Sequence, residues 1–253
     1  MKKIFIFLIL ISTFGYLVAQ QKIDKAFPYL TWVDPQSGEK SSQGELFGYD
    51  VLVFTPVHQR IENLPKSDPC YKSENNLDFY LVGRYKNESM TDAVNILYSP
   101  GPSWDPNFVI TDKNNKVIWN FICENMCINL TGVIYTSGNV DKMFDERCKF
   151  QLQNNRVVEA KQPYLYVGIK DKLLKPVKLY SDKTGGEVIA TLPVGYEVEV
   201  LLSENYDKFA ENIDYPINYL VRTSFGLVGW LRLTSEDTYH LDPVIRGLGY
   251  LGD

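Results

Sequence analysis

The chain has 253 residues, 45% hydrophobic and 23% charged, values that exclude a disordered or collagen-like polymer and leave room for one large domain or two small ones. Its formal charge is −5 with no cluster of lysine or arginine, so nucleic acid and anionic lipid are not expected partners. Aromatic residues make up 13%, with 17 tyrosines against only 4 methionines, a composition that points to strands rather than helices.

Lys2 and Lys3 precede an unbroken apolar run over 4–11, and the stretch 12–19 ends on the small residue Ala19. This is the layout of a secretory signal peptide cleaved between Ala19 and Gln20. The run is shorter than the roughly 20 residues a spanning helix needs, and Ser12, Thr13 and Gly15 break up its continuation. The mature chain, 20–253, is therefore expected in the periplasm or at the cell surface, without a membrane span. Loss of the two lysines takes its formal charge from −5 to −7.

After a polar lead over 34–44, Tyr49, Val51 and Val53 alternate as a strand does, and 77–85 gives a second strand-like run. Pro100, Pro102 and Pro106 make 99–106 a rigid loop that carries Trp104. The runs 108–111 and 117–122 flank Asp112-Lys113-Asn114-Asn115-Lys116, and 148–152 and 156–160 flank Gln153-Asn154-Asn155. Asn tolerates the positive φ of tight turns, so both read as β-hairpins. Another strand is expected over 128–136, and 140–147 is the best candidate for a short helix. Asn87-Glu88-Ser89 and Asn129-Leu130-Thr131 fit the glycosylation pattern and read as chance matches.

Cys70, Cys123, Cys127 and Cys148 are an even count in an exported chain, which predicts two disulfides in any of three pairings, all before residue 150, with free buried thiols as the alternative. Three residues separate Cys123 from Cys127, whereas thiol redox motifs carry two. Zinc would need two further ligands, and the only histidines, His58 and His240, stand at no metal-motif spacing. No metal and no cofactor are expected.

The composition shifts near Pro163. Lys178-Leu179-Tyr180 is a short strand, 181–186 a polar loop, 187–192 a second strand, and Pro193-Val194-Gly195 a turn into the alternating run 196–202. The polar stretch 203–216 precedes Tyr219-Leu220-Val221-Arg222-Thr223, and Phe225-Gly226 turns into Leu227-Val228-Gly229-Trp230-Leu231. In this order, with Val188, Leu192, Gly195, Val198, Val200, Val221, Gly226, Gly229 and Trp230 at the signature positions, the segment resembles the bacterial SH3 domain. The resemblance covers about a quarter of the chain. It implies a small five-stranded barrel over 170–234, with Leu179, Val188, Ile189 or Leu192, Val198, Val200, Val221 and Trp230 inside. Asn218 stands where the family usually has a Trp, and the loop before it is longer; both alter the face where some members bind cell-wall peptide. The expected architecture is all-β: an antiparallel β domain of unrecognised family over 20–166, then the SH3-like barrel. The tail 235–253, with Tyr239, Leu241, Ile245, Leu248, Tyr250 and Leu251, is expected to pack back on them.

The zincin motif, the Gly-x-Ser-x-Gly elbow, the phosphate loop and the dinucleotide glycine pattern are absent from the sequence. A Ser or Cys nucleophile would have only His58 or His240 as base. The expected function is that of an exported cell-envelope binding or adaptor protein whose partner is an envelope protein or a cell-wall peptide. Tyr180, Tyr196 and Phe225 of the barrel and Trp104 of the proline loop are the expected contacts. The alternative is a cell-envelope hydrolase with a carboxylate pair and an SH3-like wall-targeting module.

Overall fold

A computed structural model describes residues 21–40, 44–103, 105–204, 217–234, 237 and 242–250. The signal-peptide segment, Trp104, Tyr239, His240, Leu241, Leu251 and the loop residues 205–216 lie outside the described residues. Chain order begins with a one-turn helix α1 (Ile23–Ala26), then β1 (Thr31–Val33), β2 (Leu46–Tyr49), β3 (Phe54–Arg60), a 3-10 turn (Ile61–Asn63), β4 (Tyr80–Tyr85) and β5 (Val94–Ser99). It continues with β6 (Asn107–Thr111), β7 (Val117–Ile122), β8 (Asn125–Ile128), β9 (Val133–Gly138), β10 (Glu146–Gln153) and β11 (Arg156–Glu159). The last strands are β12 (Tyr164–Lys172), β13 (Val177–Asp182), β14 (Gly185–Leu192), β15 (Glu197–Glu204), β16 (Ile217–Thr223) and β17 (Val228–Leu233). The chain is all-β, as its composition predicts.

The strands form three sheets, ordered β1-β2-β8-β9-β10-β11, β3-β4-β5-β6-β7 and β12-β15-β16-β17-β13-β14. Pairing is antiparallel except for β2 and β8, which run parallel from Leu46↔Asn125 to Tyr49↔Ile128. The first two sheets face each other across one core of alternate residues: Phe47 and Tyr49, Val94, Ile96 and Tyr98, Phe108 and Ile110, Met126 and Ile128, Phe150 and Leu152. Both asparagine hairpins form. Asn115 has φ 62° beside the pair Thr111↔Val117, and Asn154 and Asn155 have φ 52° and 54° inside Gln153↔Arg156, the two positive values a primed turn requires.

The outer faces of this sandwich are also apolar, and separate segments cover them. On the first sheet, Ile23, Leu30, Trp32, Leu46 and Cys127 are buried together, with the Trp32 Nε1–H donating to the Phe27 carbonyl at 2.9 Å. A Cβ at Gly48 would stand 2.8 Å from both the Trp32 ring and the Cys127 Cβ, so only glycine lets that indole close over the sheet. On the second sheet, Leu81, Leu97 and Val109 are covered by Ile61, Leu64 and Cys70.

In the third sheet, one face buries Leu165, Val167, Val177, Leu179, Leu192, Val198, Val200, Ile217, Tyr219, Val221, Leu231 and Leu233. The same core takes in Met143 and Phe144 from the first unit and Val244, Ile245 and Leu248 from the tail. The Leu174 amide donates to the Val244 carbonyl at 2.8 Å, and the Arg246 amide donates to the Lys172 carbonyl at 3.1 Å.

Several expectations are corrected. The third sheet has six strands rather than five and does not close into a barrel: its edges, β12 and β14, share no hydrogen bonds. Its core is completed from outside by the 143–144 and 244–248 segments, so wrapping β14 onto β12 is not needed to exclude water. Val188 is exposed because a β-bulge at Ile189 shifts which residues of β14 face inward, and of Ile189 and Leu192 it is Leu192 that is buried. Trp230 is only half-buried, because β17 alternates with Gly229, Leu231 and Leu233 facing the core. Residues 140–147 form no helix; they bend through Asp141, at φ 56°, so that Met143 and Phe144 reach the third sheet. Val51 belongs to the turn between β2 and β3 and is exposed.

The two disulfides are also overturned: all four cysteines are free thiols. Cys70 is packed under the second sheet and Cys127 beneath Trp32, while Cys123 and Cys148 pack against the sandwich core. Burial pushes every thiol up, to about 11 for Cys70 and about 12 for Cys127 and Cys148, with Cys123 raised further. Unfolded in denaturant without reductant, the chain should give four titratable thiols, and the folded protein should react far more slowly at neutral pH. Two or fewer thiols in the unfolded chain would restore the disulfide reading.

Candidate binding surface

The face of the third sheet turned away from its core carries a continuous apolar row, one residue from each strand. Register alignment places Tyr166 beside Leu202, Leu202 beside Leu220, Leu220 beside Trp230, Trp230 beside Tyr180 and Tyr180 beside Val188. At about 4.8 Å per strand the row spans about 24 Å. Tyr164, two residues before Tyr166, adds a ring 6.0 Å from the Trp230 ring at 40°. Tyr166 is 47% exposed and Val188 48%, whereas Trp230, Tyr180, Leu202 and Leu220 are half-buried by one another.

Polar groups frame the row. The Lys183 ammonium meets the Glu204 carboxylate at 2.5 Å, and Asn218 donates to the same carboxylate at 2.8 Å. Arg232 donates to the Thr184 carbonyl at 3.1 Å. Asn218, the residue that replaces the tryptophan of the resembled family, is thus tied into this edge.

The three expected contact residues that are described, Tyr180, Tyr196 and Phe225, do not form one site. Tyr180 lies in the row. Tyr196 packs half-buried against the third-sheet core and accepts a hydrogen bond from the Ser224 hydroxyl at 3.0 Å, which fixes the β16–β17 turn. Phe225, 83% exposed at the tip of that turn, borders a cavity of about 400 Å³ lined with Lys170, Glu197, Glu199 and Arg222. Those charges pair with each other, Lys170 with Glu197 and Arg222 with Glu199. Trp104 lies outside the described residues. Sequence reading missed Tyr164, Tyr166, Leu202, Leu220 and the outward turn of Trp230; the Tyr-x-Tyr alternation at 164–166 was the available signal.

Of the two histidines, His240 lies outside the described residues and His58 is engaged structurally. His58 is in β3 with its Nδ1 3.2 Å from the Pro35 carbonyl, and its ring fills the space that a Cβ on Gly38 would enter at 2.5 Å. Among the described residues no three His, Cys, Asp or Glu side chains converge as metal ligands, and no helix is long and apolar enough to cross a membrane. The Asn87 and Asn129 side chains cap their own turns, Asn87 accepting from Ser89 and Asn129 accepting from Thr131 and Val133. Comparison with protein-family models, with curated proteins and with solved structures returns no match.

Burial pulls the His58 pKa below its usual 6.5, with the contact to Pro35 opposing the shift. The unfolded chain therefore takes up a proton near pH 6.5 that the folded chain accepts only at lower pH. Stability should be level above about pH 6.5 and fall as the pH drops below it. His58→Asn, which keeps a residue tolerant of φ 50°, should remove that part of the slope in urea melts between pH about 7.5 and about 5.5. An unchanged slope would show that His58 is not protonated on unfolding.

Proposed function

We propose that this chain is an exported binding or adaptor protein of the cell envelope, and that it engages an envelope protein or a cell-wall peptide through the outer face of the third sheet. The observation that carries the reading is the row Tyr166–Leu202–Leu220–Trp230–Tyr180–Val188. Sheets normally turn polar residues to water on the face away from their core, and this contiguous apolar row, exposed at Tyr166 and Val188 and half-buried between them, has the form of an interaction site. Tyrosine and tryptophan give such a strip large contact area at low cost in side-chain entropy, and truncating them has the largest effects at interfaces. The row is long and shallow, a form suited to an extended partner laid across the strands. Export rests on Lys2, Lys3 and the apolar run that ends at Ala19. The bacterial SH3 resemblance of the same strands agrees with an envelope partner.

The test is fractionation followed by sedimentation. Protein from the envelope fraction should begin at Gln20, and it should pellet with purified sacculi or with detergent-extracted envelope protein. Trp230→Ser with Tyr180→Ser should cut pelleting tenfold or more while the melting curve stays cooperative. Retention of Met1 in cytosolic protein, pelleting that the double variant leaves unchanged, or fragments released from the sacculi would each contradict the proposal.

A further inference from the structure

A second cavity lies on the other unit, on the outer face of the first sheet. α1 and Phe27 cover part of that face, and the connector 160–162 borders β10; between them opens a groove of about 520 Å³. This is within the about 300–1,000 Å³ range of small-molecule sites. Its apolar wall is Ile23, Ala26, Phe27 and Tyr135, with the Phe27 and Tyr135 rings stacked at 4.5 Å and 26°. Beside it the groove is basic: Arg147 and Lys149 stand on β10, two residues apart and so on one face of the strand, with Lys149 the cross-strand neighbour of Tyr135. The Gln162 side chain donates to the Arg147 carbonyl at 2.9 Å and holds the connector against that strand.

Two features of the basic side call for an anion. The Lys149 ammonium is 5.9 Å from the Tyr135 ring centroid and meets no carboxylate among the described residues. Arg147 uses one nitrogen on Asp145 at 3.0 Å, yet its Nε–H is buried and meets no acceptor among the described residues. A buried donor without an acceptor is costly, and a carboxylate is the acceptor that an arginine and a nearby lysine suit best. This positive corner also stands out on a chain of formal charge −5.

We infer that the groove binds a small amphipathic carboxylate: a monoanion whose apolar body lies on the Phe27–Tyr135 stack and whose carboxylate meets the partly exposed Arg147 guanidinium and Lys149 Nζ. The site is independent of the third-sheet row, which is built from different strands. It is tested on the full chain by titration calorimetry with decanoate, with decanamide as the neutral probe and decyltrimethylammonium as the cationic one. Decanoate should bind saturably at one site, with both other probes tenfold or more weaker. Lys149→Gln, an exposed substitution, should weaken decanoate tenfold or more with no change in melting, and Arg147→Gln should do the same. Trp230→Ser should leave decanoate binding intact, which separates this site from the row. Equal affinity for decanamide, full affinity in Lys149→Gln, or no saturable binding of decanoate would overturn the inference.

Discussion

Every strand has two faces, and the architecture depends on how the second one is covered. Side chains alternate along a strand, so burying one face of a sheet commits every other residue to the opposite side. The first two sheets bury a face each in a common core, then cover their outer faces with chain that is not part of the sheet: α1 with Trp32 on one, the 61–70 segment on the other. The third sheet fills its inner side with its own residues and with segments from both neighbouring parts of the chain. Its outer row keeps large apolar side chains, with Tyr164, Tyr166 and Val188 exposed. Among the described residues no separate segment lies over this row as α1 and Trp32 lie over part of the first sheet.

The same economy of faces couples the two units. Phe144 and Met143 stand on the loop between the paired strands β9 and β10 and are buried against the strands of the third sheet. One step along, Lys142 pairs with Glu146 at 3.3 Å and lies 5.1 Å from the Phe121 ring, so this short segment grips the first unit with one side and the third sheet with the other. Tyr250 in the tail reaches back to Asp141 at 3.3 Å. Large residues buried at such a junction typically contribute a few kcal/mol each, so the two units stabilise one another.

Much of this was legible in the sequence, and the gaps have physical causes. The all-β class, both asparagine hairpins and the buried positions Leu179, Leu192, Val198, Val200 and Val221 follow from local alternation and turn chemistry. Bulges defeated the rest: Leu201 and Ile189 each add a residue to their strand, and every side chain beyond an added residue changes face. For that reason Val188 reads as core and stands on the outer side instead; Trp230 does so by simple alternation, since Gly229, Leu231 and Leu233 beside it on β17 face the core. The thiols failed differently. An even cysteine count says nothing of distance: Cys70 and Cys127 lie in separate apolar clusters, and only Cys123 and Cys148 share one, with Cys70, Cys123 and Cys127 buried as small hydrophobes and Cys148 half-buried. The parallel contact of β2 with β8 joins residues almost eighty apart, a pairing that no local pattern encodes.

The most direct measurement is hydroxyl-radical footprinting of the folded protein with and without detergent-extracted envelope components. Binding at the outer face of the third sheet predicts that oxidation of Tyr164, Tyr166, Tyr180 and Trp230 falls together on addition of the extract, while exposed side chains of the first unit such as Tyr29 and Val158 keep their reactivity. Protection confined to the first unit, with Tyr166 and Trp230 as reactive as before, would contradict the account.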